Sequence, residues 1–394
     1  MNRNRKACLV LFSIVCMIIM VEACHKHGPE NPPDPGTDGN NGGPDLPSTA
    51  FNYVNNNITG YYAEYINNNP SIDNTAASNP ITNAGATLGR VLFYDKHLSI
   101  NDKISCGSCH HQDKAFTDGT VQSEGFNGGH TKRNGMSTIN LRYFKAAKMF
   151  WDLRAKDLET QVLMPILDPV EMGMPSKEAL EEKLGKLSYY PPLFKAAFGT
   201  SEVTADRISK ALAQFLRSIV SFNSKYDQGL TNNFNNFSAQ ELHGLQMVNR
   251  AFCTECHSDL SHVAAKQNPT FLIVENSGQN TGNGSNNGLD DSYTDKGIGG
   301  ITNKAEDMGT FKIPSLRNVE LTAPYMHDGR FATLEQAIDH YSTGIKNGPN
   351  RGVQIPTGGF QFSAQEKADI VAFLKTLTDH SVITDQRFSD PFKK

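Results

Sequence analysis

The sequence contains two short motifs in which a pair of cysteines is followed at once by a histidine. They occupy residues 106–110 and 253–257 and begin 147 residues apart. With this spacing both thiols can add across the vinyl groups of one haem, and the adjacent histidine is placed to bind the iron. The sequence therefore predicts two covalently bound c-type haems, which are held by Cys106, Cys109, His110, Cys253, Cys256 and His257.

Three other kinds of site also use paired cysteines. Two disulfides are compatible with an exported chain, but a CXXC pair closes a very small loop and does not require a histidine. A shared zinc site usually separates its cysteine pairs by about 15 to 20 residues. A thioredoxin-like redox pair belongs to a βαβ setting that the flanking residues do not show. Because the histidine is repeated after both pairs, we favour haem over these alternatives.

The first residues of the chain have the pattern of an export signal. Basic residues at the start precede an apolar run over 7–21, which is shorter than a membrane-spanning anchor needs to be. We expect residues 1–23 to be removed and Cys24 to become an acylated first residue, with ordinary signal cleavage as the alternative. Residues 24–50, rich in Gly, Pro, Asn and Asp, would then form a flexible tether. These features predict a periplasmic or cell-envelope protein attached to the membrane through a lipid anchor.

The composition argues against one large class of partner. The chain has 37 Lys and Arg residues against 41 Asp and Glu residues, so its formal charge is −4. Such a chain has no basic field that could hold a phosphate backbone, and nucleic acid is not an expected partner.

Helical patterns surround the second cysteine motif. The residues Phe-Ser-Ala-Gln-Glu begin at Phe237 and again at Phe362, and each copy contains a capping box that predicts the start of a helix. Apolar residues on one face predict a further helix over 205–222. No stretch alternates as a strand does, so we expect an all-α fold with long irregular loops. It would consist of two cytochrome c-like haem domains, at 51–230 and 231–394.

Long stretches between residues 88 and 377 carry a further pattern. They include Leu88, Gly89, Arg90, Leu92, Phe93, Asp95, Ser99, Phe150, Trp151, Asp152, Arg154, Ala155, Pro169, Val170, Glu171, Met172 and residues 314–330. Together they resemble the bacterial di-haem cytochrome c peroxidase and MauG family. The resemblance implies that the first haem is peroxidatic and that the second transfers electrons, with His110 and His257 as proximal iron ligands.

The resemblance also implies which residues surround the first haem. Gln161 and Glu171 stand where the family has the glutamine and glutamate of its peroxide pocket, and a carboxylate held there can move the proton needed for O–O cleavage. A carboxylate that merely caps a turn is the alternative for Glu171. Trp151, the only tryptophan of the chain, stands where the family places an electron relay between its haems. Such a residue can serve in the core as well.

Two further sites follow from the same resemblance. The family binds one calcium ion between its domains, and the corresponding positions here are Asn134, Thr322 and Pro324. Oxygen ligands of this kind suit that hard cation. The nearest candidate for a distal ligand of the first iron is His130, and the alternative is an ordinary surface histidine.

The distal ligand of the second iron bears on the choice of function. Tyr341 lies fourteen residues after His327, where typical peroxidases have a methionine ligand and MauG-type enzymes have a tyrosine. Met326 and Met308 are the competing ligands. The leading interpretation is an enzyme that reduces hydrogen peroxide to water with electrons from a donor such as a small cytochrome, a cupredoxin or a quinol-linked protein. A MauG-like oxidase acting on a protein is the alternative that Tyr341 favours. A plain di-haem electron carrier would need both irons fully ligated and no acid beside either, and Gln161 and Glu171 argue against it.

Overall fold

Short and medium-length helices joined by long loops build the described part of the chain. The computed structural model describes residues 42–54, 58, 60–144, 148–258, 271 and 284–392. Its α-helices are α1 Gly60–Asn68, α2 Asn83–Tyr94, α3 Cys106–Cys109, α4 Leu158–Gln161, α5 Met164–Leu167, α6 Lys177–Gly185, α7 Tyr190–Phe198, α8 Ala205–Ser218, α9 Lys225–Gly229, α10 Ala239–Arg250, α11 Cys253–His257, α12 Gly299–Thr302, α13 Leu334–Asp339 and α14 Ala364–Lys375. The predicted signal, Cys24 and most of the predicted tether lie outside the described residues.

Shorter elements complete the described fold. A π-helix follows α13 at His340–Gly344. Single 3-10 turns lie at Pro70–Ile72, Lys96–Leu98, Gln112–Lys114, Leu141–Tyr143, Ala305–Asp307, Val319–Leu321 and Gln386–Phe388. Two strands of two residues each, β1 Gly284–Ser285 and β2 Phe311–Lys312, pair in antiparallel fashion. The structure is therefore mostly helical, as the sequence predicted. None of the described helices combines the length and the apolar character that a membrane crossing requires.

Both predicted capping boxes start helices. Ser238 accepts a hydrogen bond from the Glu241 N–H, the Glu241 carboxylate accepts one from the Ser238 N–H, and α10 begins there. Ser363 and Glu366 start α14 in the same way. Each pair satisfies two backbone donors that a helix start would otherwise leave free.

Helix α8 begins as predicted but is shorter than its apolar pattern suggested. It ends at Ser218, and Ile219 already has an extended backbone. The Asn140 side chain then accepts a hydrogen bond from the Ser221 N–H, which replaces the intrahelical bond this donor would make. The apolar residues continue past the helix because the following segment is also buried.

Two helix crossings have the same local construction. In α10, a Cβ added to Gly244 would collide with the Asp369 carbonyl of α14 and stand 2.8 Å from the Phe373 Cβ. In α2, a Cβ added to Gly89 would collide with a carbonyl of α8 and stand 2.7 Å from the Phe215 Cβ. Glycine lets the two backbones touch at each crossing, and a buried phenylalanine of the partner helix fills the space beside it. Each crossing lies next to one cysteine motif in the chain.

The apolar core has more than one cluster. Residues of α2 and α8 belong to the largest, and residues of α10 and α14 form a second one with Tyr226 and Phe271. The end of the chain joins the first cluster through Val382 and Phe388. There the Tyr94 hydroxyl donates to the Phe388 carbonyl at 2.6 Å. The domain limits at 51–230 and 231–394 remain a prediction.

Candidate functional site

The first cysteine motif forms a short helix with its histidine at the end. Cys106–Cys109 is α3, and Ser105 and Ser108 form a capping box at its start. The Nδ1 atom of His110 lies 2.8 Å from the Phe116 carbonyl oxygen, which can only accept a hydrogen bond. Nδ1 must therefore carry the proton, and Nε2 is left to bind a metal. Burial lowers the pKa of His110, which favours the neutral ring that a metal requires.

The second motif repeats this arrangement. Cys253–His257 is α11, and the Nδ1 atom of His257 lies 2.8 Å from the Pro314 carbonyl oxygen. Burial lowers the pKa of His257 to about 4. Both histidines are thus neutral near pH 7, and each lines an adjoining cavity. This donor set fits an axial ligand of haem iron.

The first cavity brings together the residues that the sequence assigned to one haem. It has about 2050 Å³ of empty space, and its lining includes Cys109, His110, His130, Gln161 and Glu171. A narrower part of the same space reaches Cys106. Residues separated by up to 65 positions therefore line neighbouring parts of one site. Their individual roles stay predictions.

Glu171 is held by a tight turn at the wall of this cavity. The Asp168 carboxylate accepts hydrogen bonds from the backbone N–H groups of Val170 and Glu171. The Glu171 carbonyl accepts another from Phe126 at 3.0 Å. These bonds fix the backbone, while the carboxyl group has no hydrogen-bond partner among the described residues. Burial, together with the nearby Asp168 charge, raises the pKa of Glu171 to about 7. Such a group can both accept and return a proton near neutral pH.

The second cavity is more apolar and belongs to the other motif. It has about 1290 Å³ of empty space, and its lining includes Cys253, Cys256, His257, Met326 and Tyr341. Met308 does not line it. Two of the three competing distal ligands therefore reach this space, and the sequence could not have separated Met308 from them.

One amide group holds the two remaining ligand candidates together. The Asn287 side-chain nitrogen lies 3.3 Å from the Met326 sulfur and 3.4 Å from the Tyr341 hydroxyl oxygen. Tyr341 itself lies in the π-helix, an irregular turn that often marks functional sites. Burial raises the pKa of Tyr341 to about 12, so the phenol is neutral unless a metal or another cation stabilises its anion.

Trp151 lies between the two cavities and lines both. Its indole N–H donates to the Asn134 carbonyl at 2.9 Å. Its ring is 6.5 Å from that of His327, which stacks on Phe311 at 3.7 Å on the side of the second cavity. The indole is thus buried and held by a hydrogen bond between the two sites, in accordance with both roles considered from the sequence.

A third cavity contains the positions assigned to calcium. Asn134, Thr322 and Pro324 all line it. The Asn134 amide nitrogen donates to the Thr120 carbonyl at 2.7 Å, and this orients the side chain so that its oxygen is the free end. Among the described residues there is no group of three or more His, Cys, Asp or Glu that could hold a metal ion. The available donors here are instead neutral oxygens.

The structure also bears on the alternatives to haem. The four cysteines of the two motifs form no disulfide. The two pairs line different cavities, so they cannot share one tetrahedral zinc ion.

Sequence reasoning missed Lys312, which lies in β2 and lines all three cavities. The only signal in the sequence is its position between Phe311 and Ile313, where a charged residue interrupts an apolar segment.

Comparison with known proteins identifies the relatives of this chain. Residues 83–235 match the family described as di-haem cytochrome c peroxidase. The cytochrome c551 peroxidase of Nitrosomonas europaea is 34% identical over 293 residues, which cover 74% of this chain and 79% of the relative. The methylamine utilization protein MauG of Methylorubrum extorquens is 32% identical over 302 residues, which cover 76% and 80%.

Comparison with solved structures also finds proteins similar to this chain. A MauG-like protein associated with microbial copper homeostasis superposes with a TM-score of 0.69 at 35% identity, over 82% of this chain and 97% of its own. The diheme peroxidase BthA of Burkholderia thailandensis superposes with a TM-score of 0.62 at 23% identity, over 81% and 92%. The second likeness concerns the fold alone.

Proposed function

This chain belongs to the di-haem cytochrome c peroxidase family, and from that premise we propose that it reduces hydrogen peroxide to water at the first cavity with electrons from an external donor. The observation that carries the proposal is the meeting of His110, Gln161 and Glu171 in one cavity, with Trp151 between it and the second. An electron carrier would have no use for an acid placed in this way.

The residues that would hold the two cofactors fit c-type haem. The first haem would be attached by Cys106 and Cys109 and the second by Cys253 and Cys256, with a neutral, oriented histidine beside each pair. When bound, the haems would supply the iron that binds peroxide and a path for single electrons. We place them in two cytochrome c-like domains with the limits predicted from the sequence.

Glu171 would move the proton. Reduction of hydrogen peroxide to two waters consumes two electrons and two protons, and the oxygen that leaves must be protonated to depart as water. A carboxylate at the cavity wall can take the proton from one peroxide oxygen and give it to the other. The raised pKa keeps a share of Glu171 in each protonation state near pH 7. A fully exposed carboxylate has a lower pKa and would be a weaker base for the first of these two proton transfers.

Gln161 and Trp151 would have supporting roles. The Gln161 amide, at the end of α4, has no hydrogen-bond partner among the described residues and would orient the bound peroxide. The indole of Trp151 would pass electrons between the two sites, since it is the aromatic ring that lines both. A distal ligand role for His130 is supported by its place in the lining of the first cavity.

A second candidate function is oxidation of a protein residue, as in MauG. The observation that favours it is the Tyr341 hydroxyl in the second cavity with the Asn287 amide beside it. A tyrosinate ligand would stabilise oxidised iron, whereas a methionine would raise the potential. Resonance Raman spectra should then show a phenolate signature, and Tyr341→Met should raise the potential of the second haem. A methionine-to-iron band in the unaltered protein would instead assign Met326 as the ligand.

Three further proposals concern the setting of the enzyme. One calcium ion would bind Asn134 through its side-chain oxygen and Thr322 and Pro324 through their carbonyls, which is supported by their shared cavity. The protein would be exported and held in the cell envelope through a lipid on Cys24. Its donor would be a small cytochrome, a cupredoxin or a quinol-linked protein.

Steady-state peroxide turnover with a reduced small donor tests the main proposal. A pyridine haemochrome assay should find two haems per chain, and the pair of changes Cys253→Ser and Cys256→Ser should leave one haem and abolish turnover with the external donor. A protein with two haems and no peroxide turnover would contradict the main proposal and leave the MauG-like oxidase and the electron carrier. A protein with one haem would contradict the assignment of the second motif.

A further inference from the structure

Lys312 is a buried cation without a carboxylate partner among the described residues. Only 8% of it is exposed, although lysine is rarely buried to this extent unless it is paired. Its ammonium lies 4.2 Å from the centre of the Phe144 ring, a contact that partly offsets the lost hydration. Burial lowers its pKa to about 8. An ammonium in such a place needs a negative group close by.

The position of Lys312 indicates where that negative group must come from. Among the described residues, only Trp151 and Lys312 line both the first and the second cavity. In the part of the chain that the structure describes, Lys312 is also the one Lys, Arg, Asp or Glu that lines the second cavity.

Among the described residues, none of the four carboxylates that line the first cavity forms an ion pair with Lys312. The Asp152 carboxylate lies 2.6 Å from the Arg133 guanidinium and 3.0 Å from that of Arg154. The Asp295 carboxylate lies 2.7 Å from the Arg133 guanidinium. These two carboxylates are already matched by arginines.

Asp168 and Glu171 also line this cavity. Neither carboxylate contributes to the pKa of Lys312, whose shift comes from burial alone. The counter-ion of Lys312 therefore has to arrive with whatever fills the cavities.

We infer that Lys312 binds a haem propionate at the boundary between the two haem sites, and that this ion pair raises the reduction potential of the haem it contacts. The inference rests on the two haems of the proposed function. A haem carries two propionates, and a propionate that reaches this boundary meets the Lys312 ammonium. The Lys312 backbone N–H donates to the Trp151 carbonyl at 2.7 Å, which fixes the backbone of this residue. A charge-assisted hydrogen bond of this kind is strong where water is excluded.

The electrical effect has a definite sign. With Lys312 in place, the ammonium compensates the negative propionate, and the added electron of the ferrous state is easier to accommodate. Without it, the uncompensated carboxylate favours ferric iron. Because the pair is buried, the effect should depend only weakly on ionic strength.

Potentiometric titration of both haems in the holoprotein tests the inference. Lys312→Met removes the charge and keeps most of the volume, Lys312→Arg keeps the charge, and Lys304→Met removes an exposed lysine of the same region as a control. In Lys312→Met, the ferrous-to-ferric ratio of at least one haem at a fixed applied potential should fall about tenfold, which is 59 mV for one electron. Lys312→Arg should stay close to the parent, and Lys304→Met should not change either potential.

Unchanged potentials of both haems in Lys312→Met would overturn the inference. Should that variant fail to fold, Lys312→Gln provides the same test. Loss of haem from both neutral variants, with haem retained in Lys312→Arg, would support the ion pair between Lys312 and a propionate. Haem is counted in each protein. A parent with fewer than two haems would contradict the proposed function instead, whereas two haems with unchanged potentials would contradict the role of Lys312 alone.

Discussion

The protonation state of Glu171 should control the rate of peroxide reduction between pH 6 and pH 8. Its pKa is raised to about 7 by burial and by Asp168. The ionised form, which accepts the first proton, then makes up about one tenth of the protein at pH 6 and about nine tenths at pH 8. We therefore expect kcat/KM for peroxide to rise about tenfold over this interval and to level off above it.

Variants at two positions separate this effect from other titrations. Glu171→Gln should keep both haems and lower kcat/KM by about 10² to 10⁴, because an amide cannot accept and return the proton. It should also remove the dependence on pH between 6 and 8. Asp168→Asn removes a neighbouring negative charge but leaves an oxygen to accept the same backbone bonds. The rise should then begin at lower pH.

The assay is stopped-flow reduction of peroxide by the fully reduced enzyme, with haem content measured for each variant. A Glu171→Gln protein that turns over at the parental rate, with the same pH profile, would refute the reasoning and leave Glu171 as a residue that shapes a turn. A profile that disappears in Glu171→Gln but does not move in Asp168→Asn would refute only the assigned cause of the raised pKa.

Other predictions follow from the fold and from the sequence. Gly244→Ala should lower the thermal unfolding midpoint of the holoprotein by an amount equivalent to at least about 1 to 3 kcal/mol, because the new Cβ collides with α14. Gly185→Ala, at the end of α6 with no atom within 4 Å of the new Cβ, should be neutral or stabilise by about 0.4 to 1 kcal/mol. Equal effects of the two changes would contradict the close crossing. Trp151→Phe should keep both haems but slow donor-supported turnover, and an unchanged rate would leave the indole as a core residue only. Cys24→Ala should move the protein from the membrane fraction to the soluble fraction on cell fractionation, and a parent that is already soluble would contradict lipidation.

Local patterns predicted the helices well where the signal was itself local. The reciprocal Ser238 and Glu241 bonds depend on residues three positions apart, so the sequence was sufficient to place the start of α10. The end of α8 was predicted less well. It depends on Asn140, which is 81 positions away and captures the Ser221 N–H. Apolar periodicity continues through this point because burial continues after the helix has ended.

The residues of the candidate site also differ in how well the sequence could predict them. The cysteine motifs could be read as haem attachment points because all five residues of each are contiguous. Gln161 and Glu171 could be assigned only through resemblance, since nothing local distinguishes them from other polar residues of loops and helix ends. Lys312 and Asn287 were missed altogether. Their importance arises from the cavities that they line, and those cavities are formed by segments far apart in the chain.

The packing of residues 382–389 against the first core has a consequence for synthesis of the protein. Val382 and Phe388 fill the cluster that surrounds α2 and α8, and the Arg90 Nε–H donates to the Ser389 carbonyl at 2.6 Å. A nascent chain that emerges from its N-terminus therefore cannot complete the core beside the first cysteine motif until residues 382–389 are available. Among the described residues, the core around α10 and α14 includes none of residues 382–389. A premature stop codon before Val382 would thus damage the part of the protein that is encoded well before it.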